Sequence, residues 1–208
     1  VSEVWRLAAE NPFSARHIRP GAMTYLFPLG EDCDTLLARL AQNGWTGQIL
    51  GPHGSGKSSL LASLLAAVAS RGITVCHVEL HDGQRALAGG WRFLSGLPRR
   101  TLLVIDGYEQ LAWWWRRLLP WYCRRRGLGL LATAHQSVGL PDLFQTEINA
   151  VLAERIVRLL LRENTLPLDP DELADGLARH QGNLREVLFD LYDAYEQWRR
   201  NRPGTPNV

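Results

Sequence analysis

With 208 residues the chain is long enough for one α/β domain with a full core and a small helical appendage, and too short for two large domains. Apolar residues make up 46% and charged residues 21%, a globular balance that excludes a disordered chain; the longest apolar runs, at 60–69 and 102–105, fall short of the roughly 18 residues a membrane span needs. A net charge of +2 is too small to argue, by itself, for a polyanionic partner.

Residues 1–44 read as a segment leading into the core. Glu3, Arg6, Glu10 and Asn11 interrupt the stretch where an export signal would need to be apolar, which gives a cytoplasmic expectation. Cys33, Cys76 and Cys123 stand far apart with no C-x-x-C pair and are expected to be reduced packing residues. The core is expected over 45–148, and its first strand leads into the chemistry. A short apolar strand end at 48–50 runs into GPHGSGKS (51–58), and a Leu/Ala-rich helix follows over 58–70 with Gly72 placed to close it. This is a G-x-x-x-x-G-K-S pattern between a strand and a helix, the arrangement that cradles a nucleoside triphosphate. Gly51, Pro52, His53, Gly54, Ser55 and Gly56 form the cradle, its glycines letting the backbone curl so that N–H groups point at phosphate oxygens. The Lys57 ammonium neutralises the terminal phosphates, Ser58 offers its hydroxyl to Mg²⁺, and Ser59 continues a helical turn whose dipole favours the same anion.

ITVCHVEL (73–80) reads as a buried strand, rich in β-branched residues and bounded by Gly72 and Asp82-Gly83. After a stretch containing Gly89, Gly90 and Pro98, TLLVIDG (101–107) gives an apolar strand ending on Asp106, 49 positions beyond Lys57. An acidic residue there is a common turn former, but beside a phosphate loop it is expected to hold Mg²⁺ through water. Segment 108–126 looks helical, and LGLLATAH (128–135) is the next strand, with Thr133 and His135 at the carboxyl edge of the sheet where ligands bind. A short fifth strand is expected at 143–148. The alternation implies a parallel sheet covered on both faces, an αβα sandwich. From 149 to 200 the pattern turns helical, in three segments separated by Pro167, Pro170 and Gly182. The last has an apolar stripe at Leu184, Val187, Leu188, Leu191 and Tyr195. We read 149–200 as a small lid beside the nucleotide and 201–208 as a fraying tail.

With strands, lid and spacing in place, the chain resembles the AAA+ and STAND-like ATPases of the additional-strand P-loop class over about residues 10–200. GPHGSGKS looks like their Walker A, LLVIDG like their Walker B, LLATAH like their sensor 1 strand and GNLRE (182–186) like their sensor 2. NPFS (11–14) is similar to a segment that lies near the adenine in some relatives. The resemblance implies a P-loop NTPase sheet in 5-1-4-3-2 order with a helical lid, and ATP with Mg²⁺ as the ligand. It implies Thr133 against the γ-phosphate or the attacking water, and Arg185 reaching the γ-phosphate from the lid. Two departures stand out. The family usually places a catalytic glutamate directly after the Walker B aspartate, where this chain has Gly107; Glu109 and Glu79 are the candidate bases, with Glu109 favoured. The arginine that oligomeric members supply in trans usually lies in a stretch matching 136–150, which contains none. Arg124, Arg125 and Arg126 are substitutes at best, so a hexamer is not expected. His53 and His135 read first as packing or hydrogen-bonding residues.

The resemblance thus implies an ATP-dependent switch with weak hydrolysis to ADP and phosphate, lid and core being held together through Lys57 and Arg185. Two other classes stay open: a small-molecule or nucleotide kinase of similar length, and a binding-only pseudo-ATPase acting as an interaction module, which Gly107 suggests. A transporter-type ATPase is excluded, since the spacing from Lys57 to Asp106 leaves no room for that family's helical insert. LAWWWRRLLPWYCRRRGLG (111–129) concentrates four of the eight tryptophans with five arginines. It admits three readings: a helix with Trp inside and Arg snorkelling outward, a protein-partner site over 111–126, and a nucleic-acid site. Of the two binding readings the protein partner is favoured.

Overall fold

The computed structural model describes residues 11–19, 21–22, 24–161 and 169–201. The readings placed on Glu3, Arg6 and Glu10, on Pro167, and on a tail at 202–208 lie outside the described residues; Asn201 closes the last helix. Five strands, β1 (Thr46–Leu50), β2 (Val75–Glu79), β3 (Leu102–Asp106), β4 (Gly129–Ala134) and β5 (Asp142–Gln145), pair in parallel. Their order is β2-β3-β4-β1-β5, which is 5-1-4-3-2 read from the opposite edge. The strand that leads into the phosphate loop therefore lies inside the sheet, and its carboxyl end adjoins the tip of β4.

Because side chains alternate across a strand, β3 and β4 in the middle of the sheet feed two cores. On one face Ile49, Val104 and Leu131 meet Leu36 and Leu40 of α2 (Cys33–Gln42) and Leu60, Leu64 and Val68 of α3 (Lys57–Ser70). On the other, Leu103, Ile105 and Leu130 meet Leu94 of α4 (Gly90–Gly96) and Trp115, Leu119 and Cys123 of α5 (Trp113–Arg126). Each such fully buried aliphatic side chain contributes about 2 kcal/mol relative to exposure, so both faces are anchored by burial rather than by helix propensity. A third cluster joins α6 (Ala150–Leu161), α7 (Pro170–Arg179) and α8 (Leu184–Asn201). Leu184, Val187, Leu188 and Tyr195 of the α8 stripe are buried there and Leu191 half-buried. α1 (Ala15–Ile18) is a single turn.

Three expectations are corrected, on β2, on the helix from 108 and on the fifth strand. β2 is not a buried strand: it is the sheet edge, paired with β3, and His77 and Glu79 are exposed. The helix expected from 108 is broken. Gly107, at φ +80°, opens a 3₁₀ turn at Tyr108–Gln110, extended backbone follows at Leu111 and Ala112, and only then does α5 begin. Ala112 N–H bonds to Arg85 O (2.9 Å) instead of continuing a helix. α2 lies within the segment read as leading into the core, capped by Asp32, whose carboxylate accepts from Thr35 N–H at 2.7 Å. The fifth strand ends at Gln145, three residues early.

Pro120 lies inside α5 and has no N–H to reach Arg116 O; Tyr108 Oη, on a fully buried ring, donates to that carbonyl instead at 3.2 Å. The three cysteines are unpaired, and burial pushes the Cys123 thiol up to about 12. Among the described residues no helix is long and apolar enough to cross a membrane.

Candidate functional site

Between β1 and α3 the backbone of 51–56 forms a loop whose conformation is fixed from three sides. Inside it, Lys57 Nζ donates to Gly51 O and Pro52 O, both at 2.7 Å, and lies 3.2 Å from His135 Nδ1. Burial lowers the Lys57 pKa, and the carboxylates of Glu109 and Asp106 partly oppose that shift. Beneath the loop, the fully buried Thr146 hydroxyl sits 2.6 Å from Ser55 Oγ and 3.1 Å from Leu50 O, and a Cβ on Gly51 would come within 2.1 Å of it. Above the loop, Gly54 (φ +69°) meets the lid: a Cβ there would lie 1.8 Å from Asn183 Oδ1. Neither Thr146 nor Asn183 was singled out by sequence reasoning, although Asn183 falls within the GNLRE stretch.

β3 ends on the Asp106 carboxylate. Ser58 Oγ donates to Asp106 Oδ2 at 3.3 Å, Thr133 donates to Asp106 Oδ1, and Gly107 N–H donates to Thr133 Oγ1 at 3.1 Å. Thr133 is fully buried and its single proton is committed to Asp106, so the expected donation to a γ-phosphate would require breaking that bond. His135, like Thr133, lines the cleft at the tip of β4. Its Nδ1 lies 3.1 Å from Gly51 O, its Nε2 lies 3.3 Å from Glu109 Oε1, and its ring rests on His53 with centroids 3.7 Å apart. Desolvation, then the charges of His135 and Lys57, lower the His53 pKa.

Gly107 explains why no glutamate follows Asp106. At φ +80° any side chain is strained, and a Cβ would press to 2.7 Å from Leu80 O. The 3₁₀ turn that this glycine opens delivers Glu109 instead, with Oε2 buried and without a hydrogen-bond partner among the described residues. Glu79 also lines the cleft, from the exposed sheet edge. Ser58 Oγ and Asp106 Oδ2 are adjacent hard oxygen donors at the end of the loop, a set that fits Mg²⁺.

Beyond the loop the cleft opens to about 930 Å³, a volume that suits a nucleotide. Its far wall is apolar, built from Ile18, Tyr25, Ile148, Leu152, Leu184 and Leu188; burial pushes the Tyr25 phenol up to about 12. Arg185 is exposed on the α8 rim and adds to the lowering of the Lys57 pKa. The NPFS stretch packs into the lid rather than lining the cleft. Asn11 Nδ2 donates to Tyr192 O and Glu196 Oε1, both at 3.0 Å, and Phe13 packs edge-on against Tyr195. Ala15 and Ile18, just after it, face the cavity.

No protein-family model matches the chain, and no curated protein does. Solved structures do. The replication initiator DnaA bound to AMPPCP and single-stranded DNA is similar at 15% identity, over 83% of this chain and 63% of that one, with a TM-score of 0.55. A point mutant of Thermotoga maritima RuvB is similar at 15% identity, over 80% of this chain and 62% of that one, with a TM-score of 0.52. A DNA replication initiation factor matches at 17% identity, over 80% and 63%, with a TM-score of 0.51. The chain has the P-loop NTPase fold of the AAA+ type. It spans less than two thirds of the length of each of these structures.

Proposed function

We propose that the chain is an ATP-binding P-loop module that works as a nucleotide-dependent switch and hydrolyses ATP slowly to ADP and phosphate. The observation that supports this most is the meeting of Lys57, Ser58, Asp106 and Glu109 at one end of a single cleft, beneath a lid that carries Arg185. In this reading loop amides and Lys57 take the phosphates, and the apolar wall of Tyr25, Ile148 and Leu188 takes the base. Ser58 and Asp106 would hold Mg²⁺, which when bound offsets the charge on the phosphate oxygens. Thr133 keeps the Asp106 carboxylate in one orientation.

Glu109 accepts a proton from the attacking water; the water oxygen bonds to the γ-phosphorus as the bond to the β–γ bridging oxygen breaks, and ADP leaves. His135, 3.3 Å from Glu109 and 3.2 Å from Lys57, positions both. Slow turnover fits a base that reaches the site through a turn and is already engaged by a histidine. Arg185 on the rim makes lid closure depend on the γ-phosphate, and its loss on hydrolysis releases the lid. A cytoplasmic address and a partner that reads the lid's motion are part of the same reading, in keeping with three unpaired thiols, and a hexamer is not, since 136–150 lack arginine.

The test is a titration of MgATP against MgGTP with a fluorescent analogue, followed by phosphate release without an acceptor. Preference for ATP with slow release of free phosphate is the expected result. Phosphate appearing only when a small hydroxyl acceptor is added would replace the ATPase by a kinase, and tight binding with no release would leave a binding module.

A further inference from the structure

The nucleotide cleft leaves one conspicuous surface unused. Segment 83–141 carries nine arginines and two carboxylates, net +7, while the rest of the chain is net −5. Both carboxylates, Asp106 and Glu109, line the cleft. The overall charge of +2 is therefore a cancellation between two oppositely charged parts. The densest part of the positive one is α5. Trp115, Leu119 and Cys123 form its inner face. Its exposed positions are 113, 114, 117, 118, 121, 124 and 125: three tryptophans, one leucine and three arginines. Trp113 keeps 74%, Trp121 57% and Trp114 40% of its surface exposed. Among the described residues no carboxylate lies within salt-bridge distance of Arg117, Arg124 or Arg125, and the Arg125 guanidinium sits 5.7 Å from the Trp121 ring centre. The helix dipole accounts for arginines in the last turn; it does not account for Arg117 or for three exposed indoles on one helix.

The arrangement selects among anionic partners. At about 100° per residue, Arg117 and Arg124 fall between Trp113 and Trp121 around the helix, so the charges lie inside the aromatic patch. A bilayer surface calls for the opposite, rings on one face and cations on the other. An acidic protein surface would answer the arginines without offering the indoles a stack of flat partners. Duplex DNA shows phosphates but keeps its base faces inside. A ligand in which negative charge and exposed flat rings recur together is a single strand.

We propose that the outer face of α5 binds single-stranded nucleic acid, with Trp113, Trp114 and Trp121 stacking on bases and Arg117, Arg124 and Arg125 meeting phosphates. The test is fluorescence anisotropy of a short labelled oligothymidylate titrated with the full chain at low salt. Parallel arms use a duplex of equal length, polyglutamate and phosphatidylserine vesicles. Saturable binding to the single strand, with quenching of tryptophan emission and weaker binding in every other arm, is expected. Trp121→Ala weakens it by about tenfold. Arg117→Gln makes the slope of log affinity against log salt shallower by about 0.7. Both side chains are exposed, and circular dichroism checks that the fold is kept. Lys57→Ala keeps oligonucleotide binding, because this surface does not depend on the phosphate loop; its loss in that variant would place the strand in the cleft and overturn the assignment. So would the absence of oligothymidylate binding, equal binding to duplex or polyglutamate, preference for vesicles, or an unchanged affinity in Trp121→Ala.

Discussion

The two ends of the cleft are held by different physics. At the phosphate end each functional group has a polar partner: Lys57 on two loop carbonyls, Asp106 on Thr133 and Ser58, Glu109 on His135, Ser55 on Thr146. At the lid end the side chains are placed by apolar packing around Phe13, Val157 and Tyr195, and Arg185 stands exposed. A hydrogen-bonded constellation is already ordered when the ligand arrives, whereas an exposed arginine has rotamer entropy to lose on engagement. The core end should therefore set affinity and rate steeply, and the lid end should modulate them gently.

Substitutions at the core end can break that contrast. Glu109→Gln should leave binding of the ATP analogue within about twofold and slow phosphate release by roughly 10²–10⁴-fold; undiminished turnover would remove Glu109 from the chemistry. Lys57→Ala should weaken MgATP binding by about 100-fold, a loss in the range of charge-assisted contacts in a half-buried site; a fluorescent-analogue titration giving the same affinity would refute the loop assignment. Gly107→Ala forces a side chain onto φ +80° against Leu80 O and should cost about 1–3 kcal/mol, read from the urea midpoint. A variant as stable as the parent would mean that the turn delivering Glu109 is not constrained.

The lid end is sharpened by smaller effects. Arg185→Ala should weaken binding of a non-hydrolysable triphosphate about fivefold and leave diphosphate binding unchanged, because an exposed cation is screened; equal losses for both ligands would place Arg185 away from the γ-phosphate. The smallest effect concerns pH. The His53 pKa is lowered from 6.5, so the ring is neutral at pH 7 and takes up a proton only in acid. Anion binding favours the protonated ring, so nucleotide affinity measured at about pH 5.5 should exceed that at about pH 7 by a small margin that His53→Asn removes. Through the same shift His53 contributes stability above pH 6.5 that is lost as pH falls through its lowered value.

The core end was largely legible in the sequence. A phosphate loop and a strand-terminal aspartate encode local geometry by residue type and spacing, so Lys57, Ser58 and Asp106 could be placed by inspection. The rest depended on contacts between distant segments. Thr146 braces Ser55 from 91 positions away, and no local pattern marks a threonine in FQTE as part of a loop floor. Alternation put Thr133 and His135 at a strand end but could not say that the Thr133 proton goes to Asp106 or that His135 lies against Glu109. β2 carried the composition of a buried strand because composition does not report sheet order. α2 had a readable cap at Asp32 and apolar residues at Leu36, Leu37 and Leu40, a signal present and passed over. The α5 tryptophans were visible as a cluster, but that Trp115 turns inward with Leu119 and Cys123 while the other three stay exposed depends on how α5 docks on the sheet.

Asn11 and Phe13 fasten the backbone ahead of α1 to α8. The lid is thus attached to the rest of the molecule by the chain leaving β5 and by the contacts of Asn11 and Phe13 with α8. Two attachments leave a helical unit fewer ways to move against the sheet than one would. Arg185 sits on α8, so what Asn11 and Phe13 grip also holds the rim of the cleft.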